Sequence, residues 1–388
     1  MTAHNDFGVV ARVTLVLGGM SDAPAIDWAG RVWTYAELAQ RIEEWPRATG
    51  HDASALSVPD VLVCVLAAAA QGSSVRVTDP TLSFSVDPPD GAFLVVATSG
   101  SSGNPRPLAR TARSWTDSFP AFTELTELTQ SDLVLLTGPL HATMHLFAAV
   151  HALSIGACVT DDRTRATAAH AVPAVLRGLV DAAPRLRTVV VAGIALDPVA
   201  AERATARGIR TVEYYGAAEL SLVAARVVPD RLRAFPGVEL QVRDGRLWVR
   251  SPYTTIGNDD WCSAGDLATL AADGTLVVRG RADAAINVGG ATVIAEDVEH
   301  TIAQIDGVRG VAVLGTPHAV LGEIVTAVVE LAPDADIASV RAAARGALPH
   351  PAVPRKWLVE AQLPRTGSGK VARGQVRAAL GADLGSAT

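Results

Sequence analysis

The sequence predicts an α/β fold in three parts, and three observations predict it. Apolar runs of strand length alternate with helical segments through the first part of the chain, the pattern of a sheet with helices packed on it. From about Ser221 the texture changes to short alternating strands joined by tight turns, among them Asp244-Gly245 and Asp273-Gly274, each a strong hairpin signal. Beyond Gly280-Arg281-Ala282-Asp283 helical and strand patterns return together. The expected organisation is a large N-terminal domain of layered α/β sheets, residues 1–280, carrying a small β subdomain at about 221–280. A small α+β C-terminal domain, residues 281–388, follows.

In order, Arg31–Thr34 reads as a strand entering a helix, with Thr34 as N-cap and Glu37 three residues on as its capping-box partner. Val61–Ala70 is a buried strand or helix, and Val75–Thr78 alternates like a strand until Asp79-Pro80 breaks it. Ala92–Val96 and Ser131–Thr137 are strands, and a helix is expected from Ala142 to about Ile155. Thr188–Gly193 is a buried strand closed by glycine, Pro198–Arg207 a helix ended by Gly208, and Thr211–Glu219 a strand. Strands at Glu239–Arg243, Arg246–Arg250, Leu267–Leu270 and Leu276–Val278 form the two hairpins. A helix from Ala295 to Ile305, strands at Val308–Leu314 and Glu323–Leu331, and a helix at Ile337–Ala347 complete the reading.

Bulk properties narrow the function. A chain of 388 residues with 49% hydrophobic residues builds a sizeable core. The net charge of −7 argues against a nucleic-acid binder. Three widely spaced cysteines, Cys64, Cys158 and Cys262, fit reduced thiols in the cytoplasm and show no metal-ligand spacing. The first residues lack the pattern of a signal peptide, and the most apolar stretch is too short to span a bilayer, so no membrane partner is expected.

The first chemical signal is Thr98-Ser99-Gly100-Ser101-Ser102-Gly103-Asn104-Pro105-Arg106, set after a buried strand. Glycines let successive N–H groups point into one concavity, hydroxyls add donors and Arg106 adds a cation, which suits a polyphosphate. Read alone, it is equally a solvated Ser/Gly loop. Next, Pro139-Leu140-His141 ends a strand. His141 and His145 are four apart, but no Glu stands between them in the zinc-protease manner and no third ligand is evident. One therefore reads as a pocket histidine and the other as packing. Tyr214-Tyr215-Gly216-Ala217-Ala218-Glu219 delivers aromatics and a carboxylate to a strand's C-terminal end, the usual ligand side of an α/β sheet. In the tail, Gly367-Ser368-Gly369-Lys370 resembles the end of a Walker loop. Pro364 stands in place of its first glycine, however, and Val371 in place of its Ser/Thr. It is better described as a flexible loop presenting one lysine.

In this order the motifs resemble those of the adenylate-forming superfamily: acyl- and aryl-CoA synthetases, peptide-synthetase adenylation domains and luciferases. Thr98–Arg106 resembles its phosphate loop, Pro139-Leu140-His141 its substrate-pocket motif, and Tyr215–Glu219 its Tyr-Gly-x-Thr-Glu segment. Gly245–Pro252 is similar to its Gly-Glu-Leu hairpin, and Trp261–Asp266 to its Trp…Thr-Gly-Asp. Gly280–Asp283 is similar to its hinge and Pro364–Arg373 to its lysine loop. The resemblance implies a carboxylate–CoA ligase that uses ATP, Mg²⁺ and CoA. It activates a small-molecule carboxylic acid as an acyl-adenylate and passes it to a thiol after a mobile C-terminal domain rotates. It implies roles for Thr98, Ser99, Gly100, Ser101, Ser102, Gly103 and Arg106 on the phosphates, and for Gly193, Tyr214, Tyr215 and Gly216 around adenine and the acyl pocket. It further implies Asp266 and Arg281 on the ribose, Glu219 on Mg²⁺, His141 in the pocket and Lys370 between carboxylate and α-phosphate. Asp283 becomes the hinge, and Gly290 leaves room for a pantetheine thiol.

Three positions depart from that pattern: Arg106 replaces a lysine, Pro107 a glycine and Ala218 a threonine. Pro107 removes an N–H and Ala218 a hydroxyl donor. They motivate alternatives: a ligase specialised for thioester formation from a preformed acyl-AMP, an enzyme loading an acyl carrier protein, or an inactive nucleotide-binding homologue. The early phosphate loop resembles compact o-succinylbenzoate–CoA ligases. The absence of Asp from Gly138–Phe147 favours a plain aryl or acyl acid over an amino acid.

Overall fold

The computed structural model describes residues 15–82, 87–98, 106–193, 196–258, 260–281, 285–365 and 371–385. The chain opens with β1 (Pro24–Trp28), β2 (Arg31–Thr34), α1 (Tyr35–Glu44), β3 (Gly50–Asp52), α2 (Val58–Gln71) and β4 (Ser74–Arg76). Then follow β5 (Leu94–Thr98), β6 (Arg106–Arg110), α3 (Arg113–Thr116), α4 (Phe119–Thr126), β7 (Leu133–Leu136), α5 (Thr143–Ser154), β8 (Cys158–Thr160) and β9 (Ala168–Ala171). Next come α6 (Pro173–Ala182), β10 (Thr188–Ala192), α7 (Pro198–Ala206), β11 (Arg210–Ala217), β12 (Ser221–Val227) and β13 (Arg233–Ala234). The expected capping box is present. Thr34 Oγ1 accepts from the Glu37 N–H at 3.2 Å, and the Glu37 carboxylate accepts from the Thr34 N–H at 2.7 Å. Val61–Ala70 is helix, because Ser57 caps it, Pro59 opens it and Gly72 closes it in the left-handed conformation.

Nine of these strands form one sheet in the order β13-β12-β11-β10-β9-β7-β8-β1-β2. Its centre is parallel, and β9 and β10 are buried along their whole length, as strands covered on both faces must be. On one face α6 and α7 pack Leu176, Leu179, Val180 and Ala204 over Val189 and Val191. On the other, α5 packs Leu146, Ala149 and Leu153 over Val134, Val190 and Val212. The smaller sheet β3-β4-β5-β6 ends in an antiparallel pair, with Thr98 opposite Arg106 and Ala97 opposite Pro107. Pro107 fits there because β6 is an edge strand, where a missing N–H interrupts no ladder.

The third sheet is antiparallel: β14 (Glu239–Arg243), β15 (Arg246–Arg250), β16 (Asp266–Leu270) and β17 (Leu276–Arg281). Its first hairpin turns through Asp244 and Gly245 at φ 50° and 75°, the two positive angles a type I′ turn requires. One expectation is corrected here. Ser221–Val227 pairs with β11 and extends the nine-stranded sheet, so the change of texture at 221 marks a reversal of strand direction and not a new sheet.

Beyond residue 284 lie β18 (Ala285–Val288), β19 (Ala291–Ile294), α8 (Ala295–Ala303), β20 (Val308–His318), β21 (Gly322–Leu331), α9 (Ile337–Ala347), β22 (Lys356–Glu360) and α10 (Arg373–Gly385). The strands make a five-stranded sheet, whose core of Ile286, Val298, Ile302, Val313 and Val329 is separate from the others. Among the described residues no helix is long and apolar enough to cross a membrane. The three cysteines are free thiols.

Candidate active site

The site gathers at the C-terminal end of β11. A bulge between Tyr215 and Gly216 re-aims the strand before it reverses into β12. At Gly216 a Cβ would lie 2.0 Å from the Ser221 carbonyl oxygen, so only glycine lets the two strands approach here. Burial pushes the Tyr214 hydroxyl above its ordinary pKa. The Tyr215 hydroxyl donates to the Asp266 carboxylate. Asp266 opens β16, and its register partner is Arg281 at the end of β17. Three residues from distant motifs thus meet at one end of the β16–β17 pair.

Glu219 follows in the turn. Its carboxylate is 3.0 Å from the Arg106 guanidinium, with the arginine side chain 70% exposed and the glutamate 20%. Arg106 begins β6 opposite Thr98, so the strand pair that carries the Ser/Gly loop delivers its cation to Glu219. Sequence reasoning missed Arg110 on the same strand. This arginine is 2% exposed, and its Nη1 donates to the Tyr253 carbonyl at 2.8 Å while its Nη2 donates to that of Ala218. Burial lowers its pKa to about 10, opposed by the nearby Glu219 charge. An arginine ending a strand of otherwise ordinary composition was the one available signal.

His141 Nε2 lies 3.9 Å from the Asp79 carboxylate, both partly exposed. His145 is buried instead, pushed down to about 4 by desolvation. A Cβ at Gly138 would meet its ring at 2.3 Å. His145 is therefore a packing residue of the core. Gly193 follows β10 at φ 102°. Gly290 and Gly289 form the two-residue turn between β18 and β19 at φ 89° and 58°, with open space where a Gly290 side chain would project. Lys370, Asp283 and Ser99–Gly103 lie outside the described residues, as do the side chains of Thr98 and Arg281. What is described of the lysine loop is its base. Arg365 bridges Val371, and the Ala372 N–H donates to the Pro364 carbonyl at 2.7 Å.

Among the described residues no cluster of three His, Cys, Asp or Glu could hold a metal. One carboxylate beside an exposed cation fits Mg²⁺ that arrives on phosphates, since Mg²⁺ binds through one or two carboxylates plus the substrate. It does not fit a metal held by protein alone.

Two family models match the chain: the AMP-binding enzyme over residues 65–257 and the AMP-binding enzyme C-terminal domain over residues 297–370. The chain belongs to the adenylate-forming AMP-binding enzymes. With the family stand the expected fold and the expected class, the ATP-dependent, AMP-forming acyl- and aryl-CoA ligases. It is 26% identical to the uncharacterised acyl–CoA ligase YhfT of Bacillus subtilis, over 74% of this chain and 69% of that protein. It is 33% identical to a salicylyl-CoA synthase / salicylate adenylyltransferase of a Streptomyces species, over 54% of this chain and 46% of that one. The chain spans about half the length of several such relatives. In fold it resembles ATP-bound MatB of Rhodopseudomonas palustris, with TM-score 0.80 and 20% identity over 92% of this chain and 96% of that one. It also resembles the o-succinylbenzoate CoA synthetase MenE of Bacillus subtilis, solved with an acyl-adenylate, with TM-score 0.81 and 17% identity over 92% and 95%.

Proposed function

We propose that this enzyme activates a small aryl or acyl carboxylic acid with Mg·ATP and transfers the acyl group to the thiol of CoA. Residues 1–280 would hold the adenylate and residues 281–388 would act as the moving domain, with Asp283 as hinge. The observation that carries the reading is the meeting of Arg106, Glu219, Tyr215, Asp266 and the Arg281 backbone around one strand end.

Each residue then has a physical task. Attack of a carboxylate on the α-phosphate brings anions together, so fixed cations and N–H dipoles must offset the charge as it develops. Thr98–Gly103 and Arg106 take the β- and γ-phosphates. Glu219 holds Mg²⁺, which supplies charge neutralisation when bound. Asp266, held by the Tyr215 hydroxyl, accepts from the ribose hydroxyls, and Arg281 closes that side. Gly193, Tyr214 and Gly216 border the adenine and acyl groups, and His141 stands at the pocket. Lys370 brings a mobile point charge to the reacting oxygens. Gly290, whose turn needs a glycine in any case, leaves the thiol's approach open. The cytoplasmic setting rests on the three unpaired, widely separated cysteines.

A panel of aromatic and aliphatic acids with ATP and CoA tests the reading, with AMP and acyl-CoA measured separately. Equal release of both from one acid class is expected. AMP without acyl-CoA until a carrier protein is added would make the acceptor a carrier protein. Turnover of synthetic acyl-AMP alone would make the enzyme a thioester-forming specialist. Silence with every acid and adenylate would leave a binding homologue.

A further inference from the structure

We propose that Arg110 is the positioning residue of Glu219, which it fixes by its backbone from inside the protein. The proposal rests on the assignment of Glu219 to Mg·ATP above. Side chains on a strand alternate between faces, so residues four apart share one. Arg106 and Arg110 are four apart on β6, and both reach the turn after β11. Arg106 meets the Glu219 carboxylate at the surface. Arg110, fully enclosed, donates to the carbonyl of Ala218, the residue immediately before.

The turn is held from its other side as well. The Glu219 carbonyl accepts from the Thr255 N–H at 2.9 Å and from its hydroxyl at 3.3 Å. The segment bearing Thr255 is itself tied to β6, through Arg110 Nη1 to the Tyr253 carbonyl and through the Ile256 N–H to the Ala109 carbonyl at 2.9 Å. Strand, segment and turn therefore close a ring, and Arg110, on the strand, bonds to both of the other two parts. Taking a guanidinium out of water is costly, and an apolar residue would fill the space more cheaply. What the arginine supplies is a fixed fork of donors that orients two carbonyls at once. Ala218 has no hydroxyl with which to brace its own turn, so the brace comes from a neighbouring strand. The two arginines divide the work: exposed Arg106 can leave the carboxylate when a ligand arrives, whereas Arg110 holds the backbone in either state.

Lysine at this position keeps the charge but cannot span both carbonyls. The test measures the dissociation constant of Mg·ATP by calorimetry for Arg110→Lys, Glu219→Gln and the double variant of the full chain. It adds the KM values for ATP, acid and CoA. Arg110→Lys should weaken Mg·ATP about tenfold, a coupling within the usual range for one hydrogen-bonded network. It should leave the KM values for acid and CoA within about twofold, and its effect should shrink below about twofold once Glu219 is glutamine. Equal losses in both backgrounds, or a parallel rise in all three KM values, would make Arg110 a merely structural residue and overturn the proposal. An affinity for Mg·ATP untouched by Glu219→Gln would overturn the assignment of Glu219, and the proposal with it. Should Arg110→Lys fail to fold, Thr255→Val loosens the same turn from its other side. A selective rise in the Mg·ATP constant, absent in the Glu219→Gln background, then supports the proposal, and no rise overturns it.

Discussion

At the scale of single residues, the hydroxyl of Tyr215 on Asp266 is the contact most open to a clean test. Tyr215→Phe removes one hydrogen bond to a charged group, worth about 1.5–3 kcal/mol. If Asp266 must be aimed at a ribose, the KM for ATP should rise about tenfold or more, with the KM for CoA unchanged. Steady-state kinetics at saturating acid decides this. Arg106→Ala should behave differently in stability and in binding. Its guanidinium is exposed on the solvent side of the pair with Glu219, so the loss of stability should be less than about 1 kcal/mol, while ATP affinity falls. Tyr215, Glu219 and Asp266 were legible in the sequence because each lies in a short local motif. Arg110 was not, since its meaning depends on carbonyls 108 and 143 residues away in the chain.

At the scale of elements, the base of the lysine loop is anchored by Arg373, the last residue of its motif, through partners that the motif does not name. Arg373, at the start of α10, meets Glu296 at 2.7 Å and Glu299 at 2.6 Å, both on α8. Burial raises the Glu299 carboxyl above its ordinary pKa against the pull of Arg373, and Glu299 also accepts from the Val313 N–H on β20. Removing the cation leaves two half-buried carboxylates facing each other. Arg373→Met should therefore destabilise residues 285–385 by on the order of 3 kcal/mol, read as an earlier urea transition for that part of the chain. Strand and helix positions were legible where capping residues and Asp-Gly turns punctuate the chain, as at Thr34 and Asp244-Gly245, whereas Val61–Ala70 stayed open between strand and helix until the Ser57 cap decided it. The course of β12 was not. An alternating strand looks the same whether it continues a large sheet or begins a small one, and only its pairing with β11 decides.

At the scale of the whole molecule, three buried histidines make the N-terminal core sensitive to acid. His145 and His151 lie on α5 and His170 on β9. His151 is ringed by Phe119, Phe122 and Phe147, and its Nε2 lies 2.8 Å from Thr123 Oγ1. His170 packs on Phe122 and feels the charges of His145 and His151, and His145 feels His141. Desolvation pushes His145 down to about 4 and His151 to about 3, and His170 lies well below its ordinary value. The folded state thus holds all three neutral while the unfolded chain protonates them near pH 6.5. Their contribution is complete above about pH 6.5 and is lost as the pH falls towards the folded values, because the unfolded state binds more protons in that window. With three such groups the stability should fall by up to about 4 kcal/mol per pH unit between about pH 6 and 4. The carboxylates with lowered pKa, such as Asp52 at about 2 through its bond to Arg76, act in a separate window below about pH 4. Urea unfolding at a series of pH values separates the two. Replacing His151 with phenylalanine should remove about one third of the slope above pH 4 and leave the lower window unchanged. A stability that stays level from pH 6.5 to 4 would mean that water or a neighbouring group satisfies these rings in the native core and lets them accept protons there.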